Sequence, residues 1–458
     1  MERFIGLAGI VAFVALAYLL SHKRSAIHWK TIAWGLGLQW IFALVVLKGT
    51  AISGALSFLP FPKGGGWVVL ALMFSPILLK QAAAIDNKAF NWAVFGIVVV
   101  GLLRGDLVGS SFDQMRIVVE HLMAYAHEGA SFVFGPLSDG SGGPVGMVFA
   151  FAVLPTIIFV ASIFAVLYYV GVMPWVVRAA ARAMGRFLKV SGAESVSVAA
   201  SILMGQTEAP LTIRPFLAAM TRSELMVIMT AGMAHVSGSI MVAYVQVAHV
   251  DIVHLLTAVI MTAPGAVMMA KMLEPETETP ATAGGIKVDI PNHDANVLDA
   301  AARGAFEGGQ LAFNVAVMLI AFIALIYLIN GVMKALHPGF SLELILGWIF
   351  KLPAFLMGVP WAEAGQVGGL LGKRMVVNEF VAFLDLGRMT ALSSKAKLIA
   401  TFALCGFANF SSIAIQVGGI GALVPERRGD LARLGFRAML AGTLANFLSA
   451  CIAGVLTQ

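Results

Sequence analysis

Along the 458 residues, long apolar runs alternate with short polar breaks. A helix needs about 20 apolar residues to cross the hydrocarbon layer. The runs at 4–20, 31–50, 147–171, 225–248, 252–272, 311–333, 396–421 and 433–456 predict eight spanning helices. Residues 67–79 and 91–104 are apolar but shorter, and "KQAAAIDNK" separates them. They predict an extra pair of helices or a re-entrant insertion. "DQMRIVVEHLMAYAHE" (113–128) is amphipathic at helical spacing, which predicts a helix lying along the membrane interface. In "WVVRAAARAMGRFLKV" (175–190), Arg178, Arg182, Arg186 and Lys189 recur at i, i+4, i+8 and i+11, which predicts a second interfacial helix. "LEPETETPATAGGIKVDIPNHDAN" (273–296) is acidic, Pro- and Thr-rich and without period, so it reads as a linker.

Two apolar stretches are interrupted in the middle. Residues 195–217 are broken by Gly205, Gln206, Glu208 and Pro210, and residues 363–384 by Gly372, Lys373, Arg374, Asn378 and Glu379. Each half holds about ten residues, or about 15 Å of helix, which is half a bilayer. Irregular backbone at that depth survives only where protein or a water-filled cavity satisfies it. The pattern predicts two re-entrant helical hairpins. Each is followed by a short polar stretch ("TRSE", then "SSKAK") and a long helix with a polar break: "GMAHVSGSI" at 232–240 and "GFANFSSI" at 406–413. With one gap, His235 pairs with Asn409; Glu208 and Ser239 are 31 positions apart, Glu379 and Ser412 33. A hairpin and a broken helix, repeated in corresponding halves, is the arrangement of secondary transporters.

The fold class expected is therefore an all-α polytopic membrane protein. It has about eight core helices, two hairpins, two broken helices in an inverted repeat, and interfacial amphipathic helices. The divisions expected are residues 1–112 (N-terminal helices with the inserted apolar pair at 67–104), 113–193 (interfacial helices and a scaffold helix) and 194–272 (first repeat). A polar linker at 273–299, a scaffold helix with an interfacial segment at 300–362, and the second repeat at 363–458 complete the chain.

Composition agrees. The chain is 59% hydrophobic and 12% charged, with mean hydropathy +0.90, whereas soluble domains carry about a quarter charged residues. "SHKRSAIHWK", directly after the first run, places that end in the cytoplasm and the N-terminus outside. No small-residue cleavage site follows, so this run reads as a span and not a removed signal. The net charge of +6 is spread over many loops without a basic, aromatic-studded patch, and nucleic acid is not implied. Cys405 and Cys451 have no metal-ligand or redox spacing. Neither a metal site nor a cofactor is expected from the residues.

An acid within a membrane segment points to function. Around Glu208 and Glu379 stand amides and hydroxyls suited to a neutral, hydroxyl-bearing solute, because a carboxylate accepts from vicinal hydroxyls. The competing structural readings are a helix cap or an Arg214 pair for Glu208, and an ion pair with Lys373 or Arg374 for Glu379. For Asn409 and Ser412 the competitor is satisfaction of a kinked backbone. An intramembrane hydrolase lacks HExxH, GxSxG or a paired-Asp motif. A channel would need polar stripes along several helices instead of polar residues gathered at two breaks. Walker-type phosphate loops are absent, and two acids would repel an anionic substrate.

"GQTEAP" (205–210), "NEFVA" (378–382) and "GFANFSSI" (406–413), in that order, resemble the concentrative nucleoside transporter family, as does "EGASFVFGPL" (128–137). The likeness runs from about residue 113 to the C-terminus. It implies cation-driven uptake of nucleosides such as uridine across the inner membrane by a homotrimer, each protomer having a scaffold and a mobile transport domain. It implies nucleobase contacts at Gln206, Thr207 and Glu208, with Ile240 packing, and ribose contacts at Glu379, Asn409 and Ser412, with Phe407 nearby. Sodium-coupled members resemble each other in an asparagine four residues before the GQTE glycine and a Ser or Thr at the first helix break. In this sequence those positions hold Ser201 and His235, and the coupling-ion region also takes in Met204 and Val236. Sodium wants oxygen ligands, proton-coupled members resemble this chain at Ser201, and an unperturbed histidine titrates near pH 6.5. The expectation is H+ as coupling ion, with a single Na+ in the same region as the alternative and a neutral, hydrogen-bonded imidazole as the bland reading of His235.

Overall fold

The structure, a computed structural model, describes residues 2–48, 106–138, 148–283 and 294–457. The apolar pair expected at 67–104 lies outside the described residues. Within them the regular structure is helical: α1 (Glu2–Leu19), α2 (Trp29–Leu47), α3 (Asp106–Phe134), a turn at Phe149–Ala152 leading into α4 (Leu154–Tyr169), and α5 (Val172–Leu188). The first hairpin is α6 (Gly192–Ser201) with a 3-10 arm at Ala209–Ala219. The broken helix after it is α7 (Arg222–Ala234) and α8 (Gly238–Ala248), followed by α9 (Ile252–Leu273), α10 (Val297–Leu336) and α11 (Leu342–Leu356). The second hairpin is α12 (Trp361–Val376) with α13 (Glu379–Arg388). Its broken helix is α14 (Ser394–Leu404) with α15 (Phe410–Leu423), and α16 (Arg428–Leu456) ends the chain.

Over their described residues the eight expected spans fall on helices, two of them broken. Six are long and apolar enough to cross a membrane, by length and composition: Trp29–Leu47, Phe149–Tyr169, Arg222–Ala248 (the broken pair α7 and α8), Ile252–Leu273, Val297–Leu336 and Pro425–Leu456. The other two are α1 and the broken pair α14 and α15. The span expected at 311–333 is longer than its apolar run, because α10 continues to Val297 through "DAAARGAFEGG" and carries Arg303 and Glu307 into the fold. α7 and α8 are almost wholly buried, and α9 and α16 pack around them. α10 is the opposite, an outer helix joined to α4 by small residues. A Cβ on Gly304 or Gly308 would come within 2.5 and 2.7 Å of Ala165 and Ala161, a close approach that larger side chains forbid.

Local sequence sets the hairpin boundaries. Ser191 with Glu194, and Thr221 with Glu224, form capping boxes at the starts of α6 and α7. Pro210 and Pro215 lie in the returning arm of hairpin 1, where proline removes donors that an α-helix requires, and the arm is 3-10 with a kink at Ile213. The break in hairpin 2 is narrower than its polar residues suggest. α12 runs on through Gly372, Lys373 and Arg374 because both cations find partners in the fold, and only Val377 and Asn378 are unwound. Asn378 then caps α13 through Val381 N–H at 2.9 Å.

The described part of the acidic linker is anchored rather than loose. Gly192 and Ala193 N–H groups donate to Thr282 at 3.0 and 3.2 Å, and Thr221 Oγ1 donates to Glu276 at 2.9 Å. Lys271 sits at the centre, 2.5 Å from Glu194 and 3.2 Å from Glu276. Glu274 lies 3.4 Å from Arg222 and 3.6 Å from Arg437. His22 N–H donates to the Leu273 carbonyl at 2.9 Å, so the linker lies on the same side as the basic loop after α1, the side expected to be cytoplasmic. Lys271→Met strands the buried Glu194 carboxylate, and breaking such a pair costs about 3–5 kcal/mol. The expected result is a large fall in thermal midpoint of the detergent-solubilised protein, with partial recovery in Lys271→Met/Glu194→Gln.

Candidate functional site

The two broken helices cross at their breaks. Unwinding at 235–237 and 405–409 leaves carbonyls and N–H groups without helical partners, and the two stretches satisfy one another. Phe407 N–H donates to the His235 carbonyl at 3.3 Å. Gly406 lies against Ala234, where a Cβ would be 2.6 Å from the carbonyl oxygen. From α16, Asn446 donates to the Ala234 and Cys405 carbonyls at 2.9 and 3.0 Å. From hairpin 2, the buried Arg374 donates to the Ala403 and Gly406 carbonyls at 2.7 and 3.1 Å and to Asn446 Oδ1 at 2.5 Å. One guanidinium and one amide therefore tie both breaks, hairpin 2 and the last helix together.

Around this crossing lie the residues expected to bind substrate. Glu379, at the first turn of α13, is buried and accepts from Tyr244 OH at 2.9 Å and Asn409 Nδ2 at 3.3 Å. Asn409 caps α15 as well, its Oδ1 accepting from Ser412 N–H at 2.9 Å and Ser411 Oγ at 2.7 Å. Ser412 Oγ accepts from Gln206 Nε2 at 3.2 Å, so the tip of hairpin 1 touches the second broken helix. Phe407 is half-buried and Ile240 is buried on α8.

The competing structural readings fare unequally. Glu379 pairs with neither expected cation: Lys373 lies 2.5 Å from Asp385 and 3.1 Å from Glu343, and Arg374 turns to the carbonyls named above. Glu208 folds back so that Oε2 accepts from Gly205 N–H at 3.2 Å, a local cap of the tip. Asn409 is both a backbone cap and a partner of Glu379.

The tip of hairpin 1 splits its side chains between two directions. Gln206 and Thr207 face α15, where Gly419 leaves room for the Thr207 methyl. Glu208 instead faces a cleft of about 680 Å³ between the hairpin, α4 and α10, together with Tyr168, Arg214, Ser237, Ser239, Arg303 and Glu307. Arg303 forks between Asp294 at 2.7 Å and Glu307 at 2.9 Å on the cleft wall. The cleft thus joins the tip to the N-terminal end of α10.

In the coupling-ion region, Ser201 Oγ donates back to the Ser197 carbonyl at 2.9 Å. His235 is buried, with Nδ1 2.7 Å from the Ala231 carbonyl. A carbonyl only accepts, so Nδ1 carries the hydrogen and the lone pair is on Nε2, which has no hydrogen-bond partner among the described residues. The Val259 carbonyl is a second backbone acceptor beside the ring. Val236 is buried and Met204 half-buried beside the tip.

Sequence reasoning missed Tyr244, Gln416, Arg374 as a carbonyl clamp, and Asn446. Tyr244 stacks on Phe383 with centroids 4.4 Å apart, and Gln416 donates to Gln206 Oε1 at 3.3 Å and the Met229 carbonyl at 3.2 Å. A signal existed for two of them. Tyr244 is four residues after Ile240 and Gln416 four after Ser412, the same helix face one turn on.

Family models agree with this architecture. The model described as Na+ dependent nucleoside transporter C-terminus matches residues 254–454, its N-terminal counterpart matches 8–60, and one described as nucleoside recognition matches 150–250. An uncharacterized transporter of Bacillus subtilis, YutK, is 41% identical over 99% of this chain and 100% of its own length. Sodium/nucleoside cotransporter 1 of Homo sapiens is 35% identical over 99% of this chain and 64% of its own length. A solved structure, CNTnw in an inward-facing substrate-bound state, superposes with TM-score 0.83 at 36% identity, covering 100% of both chains. Two matched hairpins, two crossed breaks and relatives matched over nearly the whole chain lead to one conclusion: this multi-pass membrane protein belongs to the concentrative nucleoside transporter family.

Proposed function

We propose that this chain carries nucleosides such as uridine into the cell by symport with protons. The observation supporting nucleosides is the buried Glu379 carboxylate held by Tyr244 and Asn409. A carboxylate offers about four lone-pair sites, so two remain to accept from the vicinal hydroxyls of a ribose. Gln206 and Thr207 on one side and Glu208 on the other then supply amide, hydroxyl and carboxyl groups to the edges of a base. The cleft running from Glu208 to the start of α10 supports an arrangement open toward the cytoplasm. The exposed apolar side of α10, with Phe306, Phe313, Ile320 and Tyr327, supports assembly of protomers through this helix, as trimers.

The observation supporting protons is the imidazole of His235, a group that can take up a proton, buried at the first break, together with serine at position 201. Sodium is the alternative, favoured by the sodium dependence in the matching family models' descriptions. Uptake of radiolabelled uridine into proteoliposomes separates the two. Under an inward proton gradient in sodium-free buffer, concentrative uptake is expected, and His235→Gln is expected to leave only equilibration. Uptake that requires sodium and survives His235→Gln would replace the proton reading with the sodium one. Absence of saturable uptake under both gradients would overturn nucleoside transport itself.

A further inference from the structure

Helix α5 is the arm between scaffold helix α4 and the first hairpin, and its two faces differ sharply. Met173, Pro174, Val177, Ala181, Met184 and Leu188 are buried against the protein. The opposite face carries Arg178, Arg182, Arg186 and Lys189, the last three exposed and Arg178 half-buried. None of these four cations has an ion-pair partner among the described residues, whereas Lys271, Arg303, Lys373, Arg427 and Arg437 are all paired. The helix holds no acid at all. An amphipathic helix that buried its apolar face in lipid would leave its cations pointing to water; here the apolar face is spent on protein, and the charged face is the one left outward.

The neighbouring element extends the same surface. α5 is fastened to α2 by Thr31 Oγ1 donating to the Leu188 carbonyl at 3.1 Å and by Trp34 and Phe187, 5.1 Å apart. α2 follows the cytoplasmic loop with Lys23, Arg24 and Lys30, and residues 21–48 contain no acid either. Trp29, Trp34 and Trp175 are 57%, 43% and 51% exposed. Indole rings beside basic residues are the composition of the headgroup layer, and the cytoplasmic leaflet is the anionic one. We propose that α5, with the α1–α2 loop, is a binding surface for anionic phospholipid headgroups of the cytoplasmic leaflet, and that lipid charge thereby sets the rate at which the arm lets hairpin 1 move. Positive loops alone orient a protein; a single-sided row of unpaired cations on the arm of a hairpin binds charge at the part that transmits motion.

The test uses the full-length protein and Arg182→Gln/Arg186→Gln/Lys189→Gln, three substitutions on exposed side chains. Each cation near an anionic surface contributes about fivefold in binding. First, lipid is counted by mass spectrometry after purification from vesicles of equal phosphatidylglycerol and phosphatidylcholine. The unmodified protein is expected to retain phosphatidylglycerol selectively, in a manner weakened by salt, and the triple variant to lose that selectivity. Second, initial uridine uptake is measured in phosphatidylcholine vesicles with 0, 10 and 30% phosphatidylglycerol. The unmodified protein is expected to speed up several-fold with lipid charge at constant KM, and the variant to stay at its phosphatidylcholine rate. Anionic lipid also concentrates protons at the surface, but that effect is common to both proteins and drops out of their difference. Equal lipid retention by the two proteins would overturn the binding surface. Retention with identical lipid response would overturn its effect on rate. Failure of uridine uptake in the unmodified protein would fall on the transport reading and leave the lipid count to decide this one.

Discussion

Glu379→Ala is expected to reduce saturable uridine uptake to background while the protein remains in the membrane. The carboxylate accepts from Tyr244 and Asn409, and in the proposed complex from two ribose hydroxyls as well. Hydrogen bonds to a charged group contribute about 1.5–3 kcal/mol each, so losing the pair to the sugar alone corresponds to a fall on the order of a hundredfold or more in affinity. The alanine also strands the Tyr244 hydroxyl and the Asn409 amide in a buried place, which loosens the walls of the site. Glu379→Gln separates the two effects. It keeps the shape but exchanges an acceptor for a donor, and uptake is expected to fall nearly as far with much less loss of thermal stability. A sugar that lacks the 2′- and 3′-hydroxyls should compete poorly against the unmodified protein, because its polar groups would go unpaired. Near-normal uptake in Glu379→Gln, measured against protein quantified in the membrane, would remove this residue from the site.

Arg374→Met is expected to have the second largest effect, and on a different observable. The guanidinium is almost wholly buried and its fork is filled by the carbonyls of Ala403 and Gly406 and by Asn446 Oδ1. Each buried acceptor left without a donor costs about 1–3 kcal/mol. Three such acceptors, all within the crossing of the broken helices, make the loss comparable to the whole stability of a typical fold. The expected result is a broad, early melting transition and little monodisperse protein after solubilisation. Arg374→Lys retains a charge and three donors but not the planar fork, and is expected to recover folded protein with a raised KM for uridine. Full stability in Arg374→Met would mean that the breaks are held by Asn446 and the backbone contacts alone.

Much of this was legible in the chain, for a physical reason. Spans, interfacial helices and hairpins are encoded locally, by the length of apolar runs and by acids, amides and prolines that no uninterrupted span tolerates. Glu208 and Glu379 stood out because a carboxylate in an apolar run has to be explained. Their partners did not stand out. Tyr244 lies 135 positions from Glu379, and Gln416 lies 210 from Gln206; neither breaks any pattern within its own helix. Arg374 was visible but misjudged, since a cation near a break looks like part of the break until its acceptors on another helix are known. The anchoring of the linker was hidden in the same way. The cations that bind Glu274 and Glu276 come from α7, α9 and α16.

The crossing of the two breaks has a consequence for energy conversion. Both breaks are bolted to one another through Phe407, Asn446 and Arg374, so under the proposed transport cycle they move as one body of fixed shape. In that cycle, differences in grip between the outer and inner faces come from the parts against which the breaks move, the lining of α4 and α10 and the lipid around them. Such differences redistribute which half of the cycle is slow. They leave the final concentration ratio untouched, because that ratio depends only on the ion gradient and on how many ions accompany each solute. Substitutions on the α4 and α10 walls of the cleft should therefore change how fast this machine fills a vesicle, and not how full the vesicle becomes.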